Sequence, residues 1–113
     1  MLNNDLEEGA FRLAYDAMLA AGRALVFSYG LRPRSIGSHK IVVDFTERIL
    51  RTDYKILVEK FNAMRKKRHY LIYGASGSVS GTEAKNAIRT ARELIEKIKQ
   101  EIQKRNPQKT LFK

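Results

Sequence analysis

The residues best suited to chemistry lie near the end of a predicted helix, in the segment 64–73 (MRKKRHYLIY). One arginine of this segment, Arg68, shares a helical stripe with three apolar residues at steps of three and four, namely Phe61, Met64 and Leu71. A guanidinium on an apolar face needs a partner, a polar cleft or a ligand. The alternative is that its charged head reaches water while its stem packs against the apolar neighbours.

Phosphate chemistry is what this group of side chains suits. Arginine holds a phosphodiester in a bidentate grip, and histidine exchanges a proton near neutral pH. A tyrosine donates a hydrogen bond but is a poor base, because its ordinary pKa is ~10. We therefore predict three candidate catalytic residues: Arg68, His69 and Tyr73. Four further residues are candidate nucleic-acid contacts: Arg65, Lys66, Lys67 and His39. A structural hydrogen bond at the start of a helix is the alternative role for His39.

The charge balance points to a polyanionic partner. Lysine and arginine number 22 against 12 acidic residues, a formal net charge of +10. Such a surplus attracts RNA, DNA or an acidic protein. Solubility, or adaptation to heat through a charged surface, explains the same number without any ligand.

Several classes of site find no support in the composition. Cysteine is absent and there are only two histidines, which excludes thiolate sites and argues against a metal centre. The segment 74–81 (GASGSVSG) is rich in glycine but lacks the lysine of a phosphate-binding P-loop. We expect no cofactor and no metal. The sequence also contains no transmembrane stretch and no secretory signal, so we expect a cytoplasmic protein that does not contact membranes.

Helical spacing dominates the chain and predicts four main helices, with room for a short fifth. The first covers 5–29 and ends at Gly30, the second covers roughly 39–50, and Asp53 can cap the third. Ser80 and Glu83 have the spacing of a capping box that opens the fourth. In the first helix the predicted buried stripe is Leu6, Ala10, Leu13, Ala14, Ala17, Met18, Ala21, Ala24 and Leu25.

These elements predict an all-α fold. Because most connections are short, we expect an antiparallel up-and-down bundle in one domain over 1–113. The basic segment 106–113 is expected to fray.

The ordered set of segments resembles the HEPN family of small helical domains. The resemblance is carried by 13–27 (LAYDAMLAAGRALVF) with 30–34 (GLRPR), then 38–45 (SHKIVVDF), Arg68 with His69, and Tyr73. A Ser-x-x-Glu helix start follows, with Ala87, Ala91, Leu94 and Ile95 in the final helix. It extends over nearly the whole chain.

The resemblance implies a homodimer of helical bundles. It also implies a metal-independent ribonuclease of a toxin–antitoxin or defence system, with a minimal nucleotidyltransferase as antitoxin. The active site in that family is an Arg, a polar residue directly after it, and a His four to six residues beyond the Arg. Arg68 matches the first position and His69 the second, but Tyr73 stands where the terminal His is expected.

Three functions therefore stay open. The first is an RNA-cleaving toxin whose dimer cleft holds Arg68, His69 and Tyr73. The second is a catalytically degenerate module that binds RNA, a nucleotide or a nucleotidyltransferase without turnover. The third is a helical bundle whose role is protein–protein association. Whether the chain is an enzyme is left undecided at this point.

Overall fold

The computed structural model describes residues 5–32, 39–73 and 79–105, except for the side chains of Asp5 and Tyr73. Within these ranges the chain is helical and has no strand, which confirms the all-α prediction. The helices are α1 (Asp5–Ser28), α2 (His39–Leu50), α3 (Lys55–Tyr73) and α4 (Gly81–Arg105). A 3-10 helix, Arg51–Tyr54, joins α2 to α3. The predicted fraying of 106–113 concerns residues outside this description.

The helix ends follow local chemistry at two of the predicted signals. Gly30 has φ +78, the left-handed conformation that glycine adopts readily, and its N–H donates to the carbonyl of Phe27 at 2.8 Å. At the start of α4, the Glu83 N–H donates to Ser80 Oγ at 3.0 Å and the Ser80 N–H donates to Glu83 Oε1 at 3.1 Å. This is the reciprocal capping box that the spacing predicts. Asp53, by contrast, lies inside the 3-10 helix rather than capping α3.

The core is built where the four helices face one another. Its largest fully buried side chains come from all of them and include Tyr15, Met18, Leu25, Val42, Phe61, Leu94 and Ile98. α1 makes its most extensive packing against α4 and also contacts α2 and α3. The predicted stripe of α1 is only partly right, because Leu6 and Leu13 are exposed at 84% and 71%.

The observed helix directions differ from the expected up-and-down order. Tyr15 contacts His39, Gly22 faces Val42, and the ring of Tyr29 packs on Phe45, so α1 and α2 run in the same direction. The connection 29–38 is long enough for this, since an extended chain spans ~3.3 Å per residue.

α4 also runs with α1. Arg105 at the end of α4 donates to the carbonyl of Ser28 at the end of α1, at 2.7 Å. Only α3 runs against the others, because Arg68 near its end contacts Asp16 while Phe61 lies close to Gly22. The prediction of a simple antiparallel bundle is therefore wrong. α2 therefore begins beside the middle of α1, where His39 contacts Tyr15.

Candidate functional site

Arg68 lies at the boundary between α3 and α1 and keeps 25% of its side chain exposed. Its Nε is 3.6 Å from Asp16 Oδ1, and its Cζ is 5.7 Å from the centre of the Tyr15 ring. At 3.6 Å the ion pair is too long for a hydrogen bond. The Nε atom is buried and has no hydrogen-bond partner in the described part of the chain. The guanidinium is thus fixed in direction but incompletely satisfied.

Tyr15 and His39 form the second half of the site. The Tyr15 hydroxyl and His39 Nδ1 are 3.1 Å apart, and the two ring centres are 5.7 Å apart. Tyr15 is completely buried, and this burial raises its pKa to about 12, against a smaller opposing effect of Arg68. The phenol therefore keeps its proton and can donate it to an unprotonated Nδ1.

The surroundings of His39 keep its imidazole neutral. Burial is the main cause that lowers its pKa, and the positive charges of Arg68 and Arg23 lower it further. Tyr15, Asp16, His39 and Arg68 together form one unit, the polar cluster, drawn from α1, α2 and α3. Chemically, it offers one oriented cation, one neutral imidazole and one carboxylate.

Two of the predicted catalytic residues, Arg68 and His69, lie on different faces of α3. Consecutive positions on a helix point about 100° apart, so His69 does not share the inward face of Arg68. The side chain of His69 is exposed. That of Tyr73 lies outside the described part of the structure. The imidazole within the polar cluster belongs instead to His39, which the sequence suggested only as a nucleic-acid contact or a structural hydrogen bond.

The three predicted basic contacts near Arg68 differ in their environments. Arg65 Nε donates to Asn62 Oδ1 at 3.0 Å, and Lys66 is exposed. Lys67 Nζ is 3.1 Å from Glu83 Oε2, which ties α3 to the start of α4. The backbone N–H of Ser80 is the larger cause, and Lys67 the next, that lowers the pKa of Glu83. Lys67 therefore has a structural role.

Sequence reasoning missed Tyr15 and Asp16. A signal for Tyr15 was present, because Phe11, Tyr15, Met18 and Gly22 follow one another at steps of four, three and four. That second stripe of α1 is the one that faces the core. Asp16 has no comparable signal, since it is an exposed acid beside the buried tyrosine and becomes part of the site only when α3 packs against α1.

Residues 5–32, 39–73 and 79–105 contain no group of three or more His, Asp or Glu side chains placed to hold a metal ion. None of the helices described is both long and apolar enough to cross a membrane.

A family model described as "HEPN domain" matches residues 1–102 of the 113. No curated protein and no solved structure matches the chain significantly.

Proposed function

This chain belongs to the HEPN domain family, and from that premise we propose that it binds RNA through the polar cluster without cleaving it. The observation that carries the proposal is Arg68, an inward-facing guanidinium held by Asp16 and the Tyr15 ring. A phosphate group accepts charge-assisted hydrogen bonds from such a side chain in a bidentate geometry.

The energetic argument concerns an unsatisfied polar group. A buried donor without a hydrogen bond costs about 1–3 kcal/mol, and Nε of Arg68 is such a donor within the residues described. A bound phosphate would recover part of this cost if it brought the N–H groups of the guanidinium closer to their hydrogen-bond acceptors. The net charge of +10 adds a long-range attraction for the same ligand.

Binding without turnover follows from the residue that stands at the expected position of the catalytic base. Tyr73 occupies the place where the family motif has a histidine. Its ordinary pKa of ~10 leaves a tyrosine protonated at neutral pH, so it cannot accept a proton efficiently. The candidate ligand is single-stranded RNA, whose phosphates and 2′-hydroxyls are open to side chains.

The binding test compares Arg68→Ala with a matched surface variant, Arg92→Ala. Arg92 is an exposed residue of α4, so both variants lose one guanidinium. With fluorescein-labelled single-stranded RNA in an anisotropy titration, Arg68→Ala is expected to raise Kd about tenfold, which corresponds to ~1.4 kcal/mol. Arg92→Ala should change Kd less than threefold. Equal losses in the two variants, or a Kd indifferent to salt between ~50 and ~200 mM, would contradict the proposal.

A second candidate, metal-independent cleavage of RNA, is favoured by one observation. His39 is a neutral imidazole in the same cluster as Arg68. In the tautomer with its proton on Nδ1, His39 would donate to the Tyr15 oxygen, and its Nε2 would take the proton of a 2′-hydroxyl as the 2′-oxygen attacks phosphorus. The bond to the 5′-oxygen would then break, and the leaving oxygen would take a proton from water. Arg68 would stabilise the negative charge that develops on the phosphoryl oxygens.

Cleavage is tested with labelled RNA in the presence of EDTA, followed on denaturing gels. If the second candidate is right, the unaltered chain cleaves, and both Arg68→Ala and His39→Gln lose activity while keeping their helical circular dichroism. If binding alone is the function, the unaltered chain leaves RNA intact. Activity created by Tyr73→His would then identify a lapsed nuclease.

A further inference from the structure

A cavity of about 340 Å³ lies where α1, α2 and α4 come to their ends, beside the 3-10 helix. Tyr29 borders it and is about 20 Å along α1 from Tyr15, so the cavity is separate from the polar cluster. Its charged lining residues are four basic and two acidic: Arg48, Arg51, Lys97, Lys104, Asp53 and Glu101. We call this space the basic cavity. Its surplus of positive charge attracts anions.

Most of the basic side chains of the cavity lack an acidic partner. Lys104 Nζ is 3.6 Å from Glu101 Oε1, which neutralises one of the four cations. Among the acidic side chains that the structure describes, none forms an ion pair with the other three, Arg48, Arg51 and Lys97. Three positive charges that line one cavity without a paired carboxylate repel one another, and a bound anion would relieve that repulsion.

Helix dipoles explain only part of this arrangement. Basic residues in the last turn of a helix interact favourably with its negative end, which accounts for Arg48 in α2 and Lys104 in α4. Lys97 lies about two turns before the end of α4, beyond the reach of this effect. Its Nζ is 5.2 Å from the centre of the Tyr54 ring, which holds a half-buried ammonium at the wall of the cavity.

The backbone of Arg51 is strained at the same place. Arg51 has φ +60 and is the one residue other than glycine with positive φ in the described part of the chain. It directly follows the last residue of α2, a position at which glycine commonly takes this conformation. A side chain with a Cβ atom is disfavoured there, and such strained residues cluster at binding sites. What the guanidinium binds therefore explains an arginine at this position better than the backbone does.

We propose that the basic cavity binds a compact phosphate anion with two or more negative charges, of the pyrophosphate class. The volume lies near the lower end of small-molecule sites, which is roughly 300–1,000 Å³, and therefore suits a compact ligand. Arg48 and Arg51 would donate charge-assisted hydrogen bonds to the phosphoryl oxygens, and Lys97 would add a point charge.

The aromatic rings of the cavity argue against a nucleotide as its ligand. Lys97 lies over the Tyr54 ring, and Arg105 Cζ is 3.4 Å from the centre of the Tyr29 ring. A nucleobase would compete with these cations for the faces of the rings. The phosphate part of a ligand gains contacts in the cavity, whereas a base gains none that the cations do not already make.

The site is tested by calorimetric titration of the full chain with sodium pyrophosphate at ~0.1 M salt. We expect one binding site with Kd below about 100 µM, and a Kd raised about tenfold in Arg48→Ala. Two matched variants, Arg92→Ala on the surface of α4 and Arg68→Ala in the polar cluster, should change Kd less than twofold. Lack of saturation by ~1 mM, or equal losses in Arg48→Ala and either matched variant, would overturn the proposal.

The ligand class is tested with ADP, which carries the same diphosphate with a nucleoside attached. ADP is expected to bind no more tightly than pyrophosphate, because the nucleoside finds no free ring to stack on. Tighter binding of ADP would show that the cavity recognises a nucleotide and would refute the assignment to a compact phosphate.

Arg51→Gly separates a binding role from a structural one. Glycine relieves the left-handed strain, so without ligand the variant should unfold at a urea concentration at least as high as the parent chain. Pyrophosphate at ~1 mM should raise the urea midpoint of the parent chain and raise that of the variant much less, because only the folded form binds it. The same shift in both chains would mean that Arg51 does not contact the anion.

Discussion

The contact between Tyr15 and His39 determines the hydrogen bonding and the protonation of the polar cluster. A buried phenol needs a hydrogen-bond partner, and the one that Tyr15 finds is the imidazole 3.1 Å away. Burial raises the pKa of the phenol and lowers that of the imidazole, so both groups are neutral in the folded protein near pH 7. Protonation of His39 would add a positive charge to those of Arg68, Arg23 and Arg65. Protonation of the imidazole therefore destabilises the folded cluster relative to the unfolded chain.

The pH dependence of stability follows from this. The pKa of His39 lies below its ordinary value of 6.5 in the folded chain, so the unfolded chain binds more protons in the interval between the two values. The contribution of His39 is fully present above pH 6.5 and is lost as the pH falls through that interval. Urea unfolding at pH 7.5 and 5.5 should show a loss of stability that shrinks in His39→Gln. His69→Gln, the matched variant at the exposed histidine, should keep the loss. An undiminished loss in His39→Gln would refute this account.

At the scale of helices, Gly22 allows α1 and α2 to approach closely. A Cβ atom at this position would lie 2.5 Å from Val42 Cγ1 and 3.3 Å from Thr46 Oγ1. Glycine inside a helix lowers the stability of that helix by up to ~1 kcal/mol relative to alanine. Glycine at this position is therefore favourable only if the close approach of α2 to α1 requires it. The same approach holds α2 where His39 reaches Tyr15.

Two glycines of α1 allow this to be tested with one kind of substitution. Gly22→Ala should destabilise the fold by about 1–3 kcal/mol, because the overlap with α2 outweighs the gain in helix propensity. Gly9→Ala has no atom within 4 Å of the added Cβ and should stabilise by about 0.5–1 kcal/mol. Urea midpoints measured at one protein concentration give both values. A Gly22→Ala chain as stable as the parent would show that α2 can move away without cost.

The helices were predictable because their apolar spacing is local, whereas their mutual placement was not. α1 has two apolar stripes, one through Tyr15 and Met18 and one through Leu13 and Phe27, and periodicity does not say which faces the core. Arg68 was found from its place on a stripe, but its neighbours come from residues distant in sequence. The contact of His39 with Tyr15 requires α1 and α2 to run in the same direction. The short connections of the sequence predicted antiparallel neighbours instead.

For the whole molecule, the surplus of positive charge determines how strongly a polyanion is attracted from a distance. A net charge of +10 favours any polyanion without regard to its sequence. A contact made at a fixed place in the fold holds one phosphate in a defined position, and the guanidinium of Arg68, beside Asp16 and the Tyr15 ring, is suited to such a contact.

This distinction predicts how salt affects RNA binding. The logarithm of the affinity falls with the logarithm of the salt concentration, with a slope of about −0.7 for each phosphate neutralised on a single strand. If Arg68 holds one phosphate, titrations between ~50 and ~200 mM salt should give Arg68→Ala a slope shallower than that of the parent chain by about 0.7. Arg92→Ala removes one charge from the exposed surface of α4 and should keep nearly the full slope. Identical slopes for the two variants would mean that Arg68 does not hold a phosphate of the bound RNA.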